Sequence, residues 1–288
     1  MPELVEVVPF MSQVVDGIAR YIQSRTDEPP FQRDNAFIRR HLERLDRFLS
    51  LFEPEVAGIR RLPRKGPYLC VGNHSGGIYT PCMWAFLAEW YRHIGIDRPA
   101  YFLAYDMVFA LPAVGGFYRR MGGMPANEEN AAAVFAREAP LTVYPGGDYE
   151  AFRPWEERGR VDFGGRKGFI RLALKRRIPV YPVTAAGSHE TTYVLTRGDR
   201  LAESMGLHRM RVKIFPFTLG FPFGVAPGFV PQVPFPSKIR IEVGEPFDWL
   251  DRYGPADADD PAVLERCYDE IVGAMQATLD RLSAGLQH

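Results

Sequence analysis

Residues 68–77 read Tyr68-Leu69-Cys70-Val71-Gly72-Asn73-His74-Ser75-Gly76-Gly77, and a helical stretch over 79–94 follows. An apolar run feeding a turn of small residues and then a helix is one step of an alternating α/β sheet. His74 thereby falls at the C-terminal end of a strand, where open α/β sheets bind ligands. Ser75, Gly76 and Gly77 leave room for a substrate to approach closely.

The same alternation extends outward. Strands are expected at Val56–Leu62, Tyr68–Val71, Tyr101–Ala104, Leu141–Tyr144, Val180–Thr184 and Ile239–Val243. Helices are expected at Tyr79–Ile94, Asn127–Arg137 with Asn127 as cap, Gly168–Arg177 and Pro261–Leu282, the last with proline in its first turn. The expected fold is α/β, a mixed sheet flanked by helices. Residues 3–25 and 34–52 carry apolar residues at helical spacing and read as an N-terminal helical hairpin, packed on the main domain or resting on a membrane surface. The domain reading is therefore 1–53 for the helical appendage and 54–288 for the catalytic-type domain.

Composition narrows the function classes. The chain has 288 residues, with Lys+Arg and Asp+Glu both at 35, so no global basic field points to nucleic acid. Three scattered cysteines fit a reducing compartment rather than a disulfide framework. No Cys or His pair has metal-site spacing, so neither metal nor cofactor is expected. The N-terminus begins acidic, at Glu3 and Glu6, and lacks the layout of a secretion signal.

One stretch stands apart. Residues 214–236 hold six Phe, six Pro, three Gly and no charge. Prolines at that density exclude a transmembrane helix. Two readings remain: a loop buried against the sheet, lining an apolar channel, or a segment touching the bilayer interface. Arg209, Arg211, Lys213, Lys238 and Arg240 flank it as a cationic rim.

Four clusters carry candidate chemistry. The first is Asn73-His74-Ser75-Gly76-Gly77. The second, Tyr144-Pro145-Gly146-Gly147-Asp148-Tyr149-Glu150-Ala151-Phe152, is again a strand end opening into a glycine turn, now with two carboxylates. The third is Arg166-Lys167-Gly168-Phe169, with cations at a helix start facing an anion or solvent. The fourth is Val180–Val183 leading to Ser188-His189. The nucleophile-elbow, dinucleotide and P-loop patterns all fail at these turns.

In this order, over about residues 55–250, the clusters resemble the glycerolipid (PlsC-like) acyltransferase superfamily. The Gly-Gly-Asp-Tyr-Glu-Ala-Phe turn is most similar to its lysophospholipid and mono- and diacylglycerol acyltransferase-like branch. The resemblance implies acyl transfer from a thioester, carried by CoA or by acyl-carrier protein as co-substrate, to a glycerolipid hydroxyl, with His74 as general base. The family pattern is Asn-His, four residues, then Asp; here Tyr79 stands at the Asp position and Cys82 near it. Glu150 first, Asp148 second, or Tyr79 is then expected to orient the His74 ring. Backbone N–H groups of Ser75, Gly76 and Gly77 are the expected oxyanion donors. The Pro145-Gly146-Gly147 turn lacks the arginine that grips a glycerol phosphate, so Arg153 substitutes or the acceptor is neutral. Arg166 and Lys167 match the family's basic block. Residues 101–118 and 214–236 are the expected acyl-chain linings, with Arg119 and Arg120 placed to meet CoA phosphates or a headgroup. The expected location is cytoplasmic, peripheral on the membrane face. Two competing readings are a non-catalytic lipid-binding or membrane-surface protein on a degenerate acyltransferase scaffold, and a serine hydrolase using Ser75 or Ser188.

Overall fold

A computed structural model describes residues 30–207 and 213–286, with isolated positions between 17 and 25. The first arm of the expected hairpin lies almost wholly outside the described residues, as do Arg209 and Arg211. The second arm is α1 (Asn35–Leu49), capped by the Asp34 carboxylate, which accepts from Phe37 N. Its buried face, Phe37, Ile38, Leu42 and Leu49, joins the core under the main sheet.

The chain then runs through β1 (Glu55–Ala57), β2 (Leu69–Gly72), α2 (Pro81–Ile94), β3 (Tyr101–Ala104), α3 (Asp106–Ala110), α4 (Pro112–Arg120) and β4 (Gly123–Pro125). It continues as α5 (Glu128–Phe135), β5 (Leu141–Val143), α6 (Gly147–Ala151), α7 (Gly168–Arg176) and β6 (Val180–Ala186). Next come β7 (Tyr193–Thr196), α8 (Asp199–Ser204), β8 (Phe217–Gly220), β9 (Gly224–Pro227), β10 (Arg240–Val243), α9 (Trp249–Arg252) and α10 (Pro261–Ala284).

Seven strands form a mixed sheet in the order β1-β10-β6-β2-β5-β3-β4. From β6 to β4 the pairing is parallel; β10 runs antiparallel to β6. Strand β2 shows why its sequence is apolar without a break. Leu69 and Val71 enter the core shared with α5, α7 and α10, while Tyr68 and Cys70 enter the opposite core shared with α1 and α2. A parallel strand covered on both faces has no polar side.

Local chemistry sets the helix boundaries. Proline occupies the first turns of α2 and α10, the Asn127 carboxamide accepts from Asn130 N before α5, and the Asp260 carboxylate caps α10. The first expected strand is shorter than its apolar pattern. It leaves the sheet at Gly58 and continues as a turn of 3-10 helix over Ile59–Arg61.

Residues 214–236 are neither a buried loop nor a helix. Strands β8 and β9 pair with β7 as a separate three-stranded antiparallel sheet, with a turn at 221–223 between Gly220 and Gly224. Among the described residues, no helix is long and apolar enough to cross a membrane.

The loops after β2, β5 and β6 all leave the sheet at the same edge, because the three strands are parallel neighbours. This brings residues 73–80, 144–151 and 187–192 together.

Candidate active site

Strand β2 ends at Gly72, and Asn73 extends its pairing by side chain. The Asn73 carboxamide Nδ2 donates to Ala185 O at 2.9 Å, and its Oδ1 accepts from Ala185 N at 2.7 Å. This two-point bond to β6 fixes the direction in which the chain delivers His74. The His74 ring lies against the Tyr144 ring, centroids 4.7 Å apart. Tyr144 itself covers Gly72, where a side-chain carbon would meet Cε1 at 2.4 Å. Beyond His74 the chain turns through positive φ at Gly76 (89°), Gly77 (58°) and Thr80 (41°). The turn is pinned from outside: Ser188 Oγ donates to Ser75 O at 3.1 Å, and Gly77 N donates to Ala151 O at 3.1 Å.

The second turn supplies a fully buried carboxylate. Glu150 Oε2 accepts from the backbone N–H of His74 at 2.8 Å. Glu150 Oε1 accepts from Asp162 N at 3.1 Å and from Arg153 Nη1 at 3.1 Å. Gly146 must lack a side chain here, because a Cβ would stand 2.3 Å from Glu150 Oε2. Burial pushes the Glu150 carboxyl up to about 7, against the pull of Arg153 and the two N–H donors. Burial, with the nearby Arg153 charge, holds the His74 imidazole down to about 4. His74 is therefore neutral at neutral pH, and its buried Nδ1 makes no hydrogen bond.

A groove runs from this turn along the small sheet. It is lined by Ile78 and Tyr79 of the turn and by Thr191, Leu219, Val233 and Phe235, among others, and not by His74. The Tyr79 hydroxyl donates to Gln232 O at 2.6 Å and ties the turn to the segment after β9.

Three comparisons with known proteins converge. Residues 53–186 match the acyltransferase family model. An uncharacterized protein of Mycobacterium tuberculosis is 35% identical over 96% of this chain and 76% of its own length. The DGAT1/2-independent enzyme synthesizing storage lipids of Bos taurus is 26% identical over 79% of this chain and 59% of its own. The crystal structure of the 1-acyl-sn-glycerophosphate acyltransferase PlsC from Thermotoga maritima shares the fold, with a TM-score of 0.50, 16% identity and coverage of 97% and 99% of the two chains.

The chain belongs to the PlsC-like acyltransferase family.

Within this acyltransferase, the structure places His74, Ser75, Gly76, Gly77, Gly146, Gly147, Asp148, Glu150 and Arg166 together where the loops after β2 and β5 meet. Several of their expected relations differ. Glu150 holds the backbone of His74, not its ring, because the carboxylate lies beneath the turn. Tyr79 does not reach the ring either; its hydroxyl is committed to Gln232. Asp148 faces Arg166, at 3.4 Å. The N–H of Gly77 is spent on Ala151 O, which leaves the N–H groups of Ser75 and Gly76 without an intramolecular acceptor among the described residues.

The cations are also corrected. Arg153 is 1% exposed and turned inward onto Glu150, so it does not present a guanidinium to substrate. Arg166 Nη1 donates to both Pro145 O and Gly146 O at 2.8 Å and so braces the turn. Lys167 pairs with Glu265 on α10, over the Tyr268 ring, away from the turn. Arg120 pairs with Asp34 at 2.7 Å and covers the Phe37 ring, while Arg119 is buried over Phe109. Residues 101–118 fold into β3, α3 and α4 and do not line the groove. Cys82 is buried, its Sγ 3.7 Å from Ser75 O, and burial pushes its thiol pKa up.

Three contributors have roles that the sequence did not reveal. Asn73 reads as half of a motif, yet its work is structural, across to β6. Tyr144 reads as a strand residue. Ser188 reads as part of a distant turn or as a hydrolase nucleophile, yet its hydroxyl pins Ser75 O. A hint existed for Tyr144, an aromatic residue directly before the Pro-Gly-Gly turn; none existed for the register that sets it against His74.

Proposed function

We propose that this acyltransferase moves a fatty acyl group from an acyl thioester, acyl-CoA or acyl-carrier protein, to the hydroxyl of a neutral glycerolipid or related lipid alcohol. The observation that carries the reading is His74, neutral, at the end of β2 and held against Tyr144 and Glu150 of the turn after β5. No cofactor enters the reaction. An alcohol is far too weak an acid to ionise at neutral pH, so its proton must leave as the oxygen attacks the thioester carbonyl. His74 takes that proton, a contribution of about 10²–10⁴-fold for a positioned base. The carbonyl oxygen becomes an oxyanion, for which the N–H groups of Ser75 and Gly76 are the available donors. The tetrahedral intermediate collapses, the C–S bond breaks, and the thiolate leaves, taking up the proton from His74 or from water.

The imidazolium formed in this step carries a new positive charge beside Arg153. Ionised Glu150, bonded to the His74 backbone, offsets it. A neutral acceptor is favoured because the cations of the second turn are already engaged: Arg153 by Glu150, and Arg166 by two carbonyls and Asp148. The similarity to the DGAT1/2-independent enzyme synthesizing storage lipids of Bos taurus points the same way. The enzyme is read as cytoplasmic, working on the membrane face from outside the bilayer.

The test is release of free thiol from long-chain acyl-CoA, with and without a panel of lipid alcohols, for wild type and His74→Ala. Release that needs both an acceptor and His74 supports the proposal. The missing ring partner on His74 Nδ1 favours a second reading, a lipid-binding scaffold without turnover. Equal silence of wild type and His74→Ala with every donor and acceptor would select it.

A further inference from the structure

Antiparallel sheets with one face on the core normally turn polar side chains outward. The small sheet β7-β8-β9 does not. Its inward pair is Thr218 and Ala226, matched in register and buried. The neighbouring pair, Leu219 and Val225, is also matched in register and is exposed, with exposed Leu195 on the adjoining strand. At the hairpin turn Phe221 and Phe223 are 72% and 60% exposed. An apolar outer face and an aromatic turn form one contiguous sequence feature in a run of 23 residues without an ionisable group. Exposed apolar surface gathered in one place marks an interaction site.

We propose that the β8–β9 hairpin is the element that docks this enzyme on a lipid bilayer, entering the interface with Phe221, Phe223 and Val225. Two observations select lipid over a protein partner. The run of 23 residues holds six Phe and no charged side chain, and the flanking cations Lys238 and Arg240 are already paired with Glu53 and Glu55, so the contact it offers is apolar. The hairpin also adjoins the groove: Leu219 on β8 and Phe235 after β9 are exposed to solvent and line the cleft together with Ile78 and Tyr79, whereas Phe221, Phe223 and Val225 do not line it. A lipid alcohol leaving the bilayer at the hairpin enters that cleft without crossing water. The hairpin's turns and prolines keep it at the interface, since irregular backbone cannot cross hydrocarbon. The docking stands on exposure and register alone; the delivery of acceptor to the groove rests on the proposed function above. The hairpin lies beyond residues 53–186, which match the family model.

The test compares full-length wild type with the triple variant Phe221→Ser, Phe223→Ser, Val225→Thr, and with Leu51→Ser as an exposed apolar control elsewhere. Binding is measured by co-sedimentation with phosphatidylcholine vesicles, with and without a minority of phosphatidylglycerol. Wild type and Leu51→Ser are expected to bind, and to keep binding at about 0.5 M salt, where exposed charges are screened. The triple variant is expected to bind at least tenfold more weakly, with an unchanged thermal transition. It is also expected to lose turnover of a vesicle-embedded acceptor while keeping wild-type turnover of a soluble short-chain alcohol. Equal binding by the triple variant, or no vesicle binding by wild type, overturns the proposal. A wild-type dimer that the triple variant dissolves assigns the patch to a second copy and also overturns it. Hairpin-dependent binding by a protein that never releases thiol leaves the docking intact and removes only the proposed reaction.

Discussion

The Glu150 carboxylate accepts the backbone N–H of His74 at 2.8 Å and leaves the imidazole ring alone. A single buried acid thus connects two turns from different strands. Its second oxygen also holds Arg153 and Asp162 N, so the seat of His74, the second turn and the chain after it form one unit.

Glu150→Ala should be costly to the fold because it strands the Arg153 guanidinium without a counter-charge. Breaking one side of a buried pair costs about 3–5 kcal/mol. Chemical denaturation should show that loss, and Glu150→Leu with Arg153→Met should recover much of it. Full stability in Glu150→Ala would contradict the pairing.

The pH dependence of turnover separates Glu150 from His74. Glu150 ionises at about 7 and His74 at about 4. The rate should rise with pH through about 7 as Glu150 gains the charge that offsets the imidazolium. In Glu150→Gln that limb should vanish, with kcat lowered roughly tenfold or more and KM little changed, within the range for a general-base step. A limb at 7 that persists in the variant would assign it to another group.

Stability should respond to pH with two opposed signs. The His74 and His189 pKa values are depressed, to about 4 and about 3, so the unfolded chain binds more protons below about 6.5 and acid destabilises the fold. Glu150 is raised, so the folded chain binds more protons between about 4.5 and 7, and acid stabilises it there. Glu150→Gln removes the compensating part. Its thermal midpoint should therefore fall more steeply than that of wild type between pH 6.5 and 4.5.

Gly146→Ala tests the close approach in the second turn. The new methyl would overlap Glu150 Oε2, so the carboxylate must leave the His74 N–H. Turnover should fall by about 10² or more, the scale of a misplaced catalytic group, while circular dichroism stays native. An active Gly146→Ala would show that the Glu150 seat is dispensable.

Cys82→Ser should keep turnover within about twofold, since a buried thiol with a raised pKa is a poor nucleophile. Intact-mass measurement during turnover should show no acyl adduct. An acylated cysteine at position 82 would replace direct transfer with a covalent route.

Much of the fold was legible in order along the chain. The apolar runs of β2, β5 and β6, the cap at Asn127 and the first-turn proline at Pro261 are local or periodic signals, and they appear where expected. Strands β8 and β9 were not legible as a hairpin, because Phe and Pro crowding over 214–236 obscures period-2 alternation. Only pairing with one another decides which of their residues face out.

By itself, then, the sequence determined the α/β class, the small-residue turn that delivers His74 at a strand end, and the exclusion of a helix from residues 214–236. These follow from hydrophobic period, capping chemistry and the missing N–H of proline, all carried by neighbouring residues. Only the tertiary structure decided that Glu150 holds a backbone, that Arg153 turns inward, that Asn73 grips β6 and that the Phe-rich hairpin faces outward. Those relations span separations such as the 76 residues from His74 to Glu150 and the 112 from Asn73 to Ala185. Strand order and register bring such partners together, and burial then fixes which of them stay charged.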